Sequence, residues 1–122
     1  SLAYYSGYVN MVKDSIKQLK DRYQNLNSLN ETLNQDYMYY SSDSGNVTAA
    51  LSLLGKQVDY LERFFDYYSE SGKGYAYSQA TETKISVDID IVGDNYFAIA
   101  NNAADIRSKY ISYLSDEILV ID

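Results

Sequence analysis

The chain has 122 residues, a net charge of −7, fifteen Tyr, and no Cys, His, Pro or Trp. That length suits one domain around one core. Lack of Cys removes disulfides and thiolate metal sites, lack of His removes the usual general base, and the acidic balance speaks against nucleic acid or an anionic membrane as partner.

Average usage would give about six Pro, so their absence fits long uninterrupted helices. The first is predicted over 3–40, where Val9, Val12, Ile16, Leu19, Tyr23, Leu26, Leu33 and Tyr37 recur by threes and fours. Asn30 falls on a core position of this stripe. Either a buried Asn there fixes register and partner choice, or the helix rotates to bring Leu29 inward. A polar turn follows at 41–46, containing Asp43, Ser44 and Gly45, with Asn46 as N-cap of a second helix over 47–69. Val47, Leu51, Leu54, Val58, Leu61, Phe65 and Tyr68 form its stripe, and Ser71-Gly72-Lys73-Gly74 is a stop signal. Joined by so short a turn, the two helices must fold back antiparallel.

A first helix of about 38 residues is about 57 Å long and a second of about 24 is about 36 Å. The start of the first, about 14 residues, therefore projects past the second. Tyr4, Tyr5, Tyr8, Val9, Val12 and Ile16 are the candidate partner-binding residues on that overhang. Residues 70–93 read as a linker or short strand. Over 84–91, apolar and polar residues alternate with a β-branched residue at every apolar site, which favours extended structure. The same region also steps helically through Ile85, Ile89, Val92, Tyr96 and Ile99. A third helix is expected over 94–117, with Asp94 as N-cap and Ile99, Ala103, Ile106, Tyr110, Tyr113 and Leu114 on the face that covers the overhang. The expected fold is mainly α in a single domain, 1–122: an antiparallel helical hairpin plus a C-terminal helix, with a short β segment near 84–91.

Motifs that carry chemistry are thin. Asp88, Asp90 and Gly93 open like a calcium loop, but Val92 and Ile99 stand where oxygen ligands are needed. Ser71 to Gly74 lacks the first Gly of a phosphate loop. Asn30 and Asn46 head glycosylation sequons, which matter only in a eukaryotic secretory route. No cofactor, no metal, no small-molecule substrate and no enzymatic activity are expected. The longest apolar run, Ile118 to Ile121, is too short to insert in a membrane. No signal peptide is visible, and the opening Ser leaves a removed leader open. The Tyr excess either fills thin helical cores with wet rims or makes a docking face.

An acidic chain without Cys, two amphipathic helices and a Gly-containing turn resemble the WXG-type helical hairpins of type VII secretion, nearest to the helper proteins of LXG toxins. The resemblance covers roughly residues 3–82. The family's turn is Trp-x-Gly, of which Asp43-Ser44-Gly45 keeps the Gly; its export signal, Tyr-x-x-x-Asp/Glu, matches Tyr113 with Glu117 and equally Tyr39 with Asp43. It implies a bacterial, non-enzymatic accessory or substrate that binds a helical partner, a toxin stalk or a second copy of itself. It also implies a location outside the cell or in the envelope by a non-classical route, the alternative being cytoplasmic. The other function considered is an acidic immunity or antitoxin protein that caps a basic toxin surface with Asp88, Asp90 and Asp94.

Overall fold

The computed structural model describes residues 2–37, 42–73, 77 and 79–121; side chains at 2, 3, 37, 42–44, 106, 109, 110, 113, 114 and 116–121 lie outside the description. The described residues form three helices: α1 (Leu2–Tyr37), α2 (Ser42–Glu70) and α3 (Gln79–Ile121). α1 and α2 run antiparallel, as the pairs Tyr5 with Ser69, Lys20 with Glu62 and Asn30 with Thr48 show. α3 runs parallel to α1, since Ser15 meets Glu82, Arg22 meets Asp90 and Tyr96 meets Leu29. The hairpin plus a third helix is thus the fold.

All three helices enter one core. Val12, Ile16 and Leu19 of α1, Leu51, Val58 and Phe65 of α2, and Ile85, Ile89 and Tyr96 of α3 are buried together. Each set steps by three, four or their sum of seven, which puts its members on one helical face. α2 stops where the backbone turns left-handed at Gly72 (φ 79°). There the Gly72 N–H donates to the Ser69 carbonyl at 3.1 Å and the Lys73 N–H to the Tyr68 carbonyl at 2.7 Å. This paired arrangement satisfies the last carbonyls of the helix, and a residue with a Cβ would be strained at its centre.

Three expectations are corrected. The turn expected at 41–46 does not include Asp43, Ser44 and Gly45, whose backbone is already helical because α2 starts at Ser42. Ser and Asp suit a first helical turn, where backbone N–H groups lack partners and the dipole favours acid. The segment 84–91 is helix, not strand. Ile85 and Ile89 are buried, while Val87 and Ile91 are 49% and 53% exposed, so the four-residue step decided and the alternation did not. Burial on a helical face outweighed β-branched propensity. As a consequence Asp94, expected as an N-cap, lies inside α3.

The third correction concerns the overhang. α2 reaches the first turn of α1, where Tyr5 Oη donates to the Ser69 carbonyl at 3.1 Å. The extension sits at the other end instead. Leu29 is level with Tyr96, and α1 ends at Tyr37, so α3 passes that end near Ala104 and continues to Ile121. The excess is about 25 Å of helix.

Candidate interaction surface

The six residues expected to bind a partner divide by depth. Tyr4 is 79% exposed, Tyr5, Tyr8 and Val9 are half-buried, and Val12 and Ile16 belong to the core. α1 turns one face inward, so residues at that spacing go to α2 and α3 first. Only Tyr4 stands fully on the surface.

Other exposed rings stand on α2. Tyr60 and Tyr67 are 66% and 68% exposed, with Phe64 and Tyr68 half-buried beside them. Tyr60, Phe64 and Tyr68 are spaced by four, which stacks them along one side of the helix. Ring centroids are 5.7 Å apart for Tyr60 and Phe64, 4.5 Å for Phe64 and Tyr68, and 5.3 Å for Tyr67 and Tyr68. The ladder ends at the tip of the bundle where Tyr5 meets Ser69. The sequence reading put Tyr68 on the core stripe, where it is half-buried, and missed Tyr60, Phe64 and Tyr67 because they lie beside that stripe; the four-residue spacing of Tyr60, Phe64 and Tyr68 was the available signal.

Grooves open on both sides of α3. One, between α1 and α3, holds about 570 Å³ and is bounded by Leu29, Phe97, Arg22 and Asp90. Another, between α2 and α3, holds about 390 Å³ and is lined by Lys56, Gln57, Tyr60, Thr81, Lys84 and Ile85.

The acidic residues do not converge. Asp88 pairs with Lys84 at 3.4 Å along α3, whereas Asp90 points to α1 and pairs with Arg22 at 2.5 Å. Among the described residues no group of three or more acidic side chains could hold a metal. Also among them, no helix is long and apolar enough to cross a membrane. Burial raises the Tyr96 phenol above its ordinary 10.0. Its ring packs in the core, away from both Tyr4 and the ladder. Tyr113 and Glu117 lie within α3, and their side chains are outside the description. Compared with family models, curated proteins and solved structures, the chain matches none.

Proposed function

We propose that the protein is a non-enzymatic interaction protein that binds a helical partner, a toxin stalk or a second copy, as an accessory or substrate of type VII secretion. The observation that carries this reading is the set of exposed rings, Tyr4 on α1 with Tyr60 and Tyr67 on α2, in an otherwise acidic helical bundle. Large rings with one polar end are enriched at interfaces because they bury area and remain tolerable when wet. The acidic-cap alternative has less support, since Asp88 and Asp90 already answer cations within the chain.

The test has two arms. The tagged chain is expressed in its native host, its partner identified by mass spectrometry, and capture repeated with Tyr4→Ser, Tyr60→Ser and Tyr67→Ser combined. Capture should fall while the far-ultraviolet circular dichroism stays helical. Export is followed in a strain lacking the secretion ATPase, where the chain should stay inside the cell. Unchanged capture by the triple variant, or export without the ATPase, overturns the reading.

A further inference from the structure

We propose that the α2–α3 groove receives an acidic amphipathic helix, an inference that rests on the helical-partner reading and names the chemistry of that partner. The floor of the groove is apolar where Ile85 is 3% exposed, and Tyr60 forms one wall. Gln57 lines it too, with its Oε1 buried and without a hydrogen-bond partner among the described residues. Two ammonium groups stand on its lips, Lys56 from α2 and Lys84 from α3. Lys56 has no ion-pair partner among the described residues, and Lys84, with its side chain 70% exposed, is held only by Asp88 at 3.4 Å.

The charge is what identifies the occupant. The chain carries 17 acidic and 10 basic side chains, so Lys56, left without an ion pair among the described residues, beside Lys84, whose charge Asp88 answers from one side only, makes the lips of this groove less acidic than the chain at large. A neutral apolar partner would not need them, and a basic one would be repelled. Further along the same two helices a second concavity opens, lined by Val47, Ala50, Val92 and Ile99. α2 and α3 run in opposite directions, so a step of seven residues from Tyr60 and from Lys84 brings Leu53 level with Ile91. Both are exposed, at 58% and 53%. Anchors two turns apart on each lip match the repeat of an incoming helix that inserts its apolar side chains between two others. Asp or Glu on the flanks of that helix would then reach Lys56 and Lys84.

The probes are two synthetic helical peptides with the same Leu/Ile face, one flanked by Glu and the other by Lys. Each is titrated into the full chain, with affinity read by fluorescence anisotropy and location by amide shifts in nuclear magnetic resonance. The Glu peptide should bind roughly tenfold tighter, an effect in line with a few surface ion pairs. Its shifts should centre on Leu53, Tyr60 and Ile91. Lys56→Glu with Lys84→Glu should invert the preference, and salt should shrink the difference between the peptides more than the binding itself. Equal affinities, no binding of the Glu peptide, or shifts centred on Leu29 and Phe97 overturn the proposal. Both lysines are exposed, and circular dichroism verifies that the double variant is folded. If that variant still captures the native partner fully, this inference falls while the helical-partner reading stands.

Discussion

Asn30 is 2% exposed inside an apolar core, and its Nδ2 donates to Thr48 Oγ1 at 2.9 Å. Leu29, the alternative inward residue, is 45% exposed, so α1 is turned to bury the amide. A buried amide that loses its acceptor keeps the full cost of leaving water. Thr48→Val should therefore lower stability by about 1–3 kcal/mol, and adding Asn30→Leu should recover most of it. Urea denaturation of the single and double variants checks this; a neutral Thr48→Val would show that the bond contributes nothing. Gly55 makes a second residue-scale case. A Cβ at Gly55 would lie 2.7 Å from Cζ of Tyr23, whose ring crosses the helix there. Replacing Gly by Ala inside a helix ordinarily stabilises it by about 1 kcal/mol. Here Gly55→Ala should destabilise, and the usual gain should reappear in a Tyr23→Ala background, as thermal melts of the four chains would reveal. Neither pairing was legible in sequence: Asn30 and Thr48 were visible as residues, but their contact spans 18 positions.

At the scale of elements, α3 is where local preference and packing disagreed. Read as a strand, 84–91 would send Ile85, Val87, Ile89 and Ile91 to one side. Read as a helix, it separates them into an inner and an outer pair. Ile89→Ala should cost about 2–4 kcal/mol by leaving a cavity against α1 and α2. Val87→Ala, on the outer side, should stay within about 0.5 kcal/mol. Equal effects in denaturant titrations would contradict the helical assignment. The ends of α2 show the same contrast. Its C-terminus was legible because Gly72 supplies a conformation few other residues adopt. Its N-terminus was not, because Ser, Asp and Asn serve equally in a turn and in a first helical turn.

For the whole molecule, Tyr96 joins two helices far apart in sequence: its ring is in the core and its Oη donates to the Leu29 carbonyl at 3.5 Å. Burial raises its pKa, so the folded state favours the neutral phenol. The resulting stability is fully present below the unfolded value near 10.0 and is lost as pH rises through the higher folded value. Tyr96→Phe should flatten the alkaline fall in stability relative to the parent chain, measured as the difference between the two chains so that whatever they share cancels. Parallel alkaline curves would refute the assignment. The sequence by itself determined that three amphipathic faces meet, since three-four spacing is a local property that any helix turns into one stripe. It also determined the end of α2 at Gly72 and most of the core residues that α1 and α2 contribute. Only the tertiary structure decided that 84–91 is helix, that Asn30 rather than Leu29 turns inward, and that the overhang belongs to α3. It alone placed Lys56 opposite Lys84. Those outcomes depend on how far each helix slides and rotates against the others, and packing sets that between residues too distant in the chain to leave a local pattern.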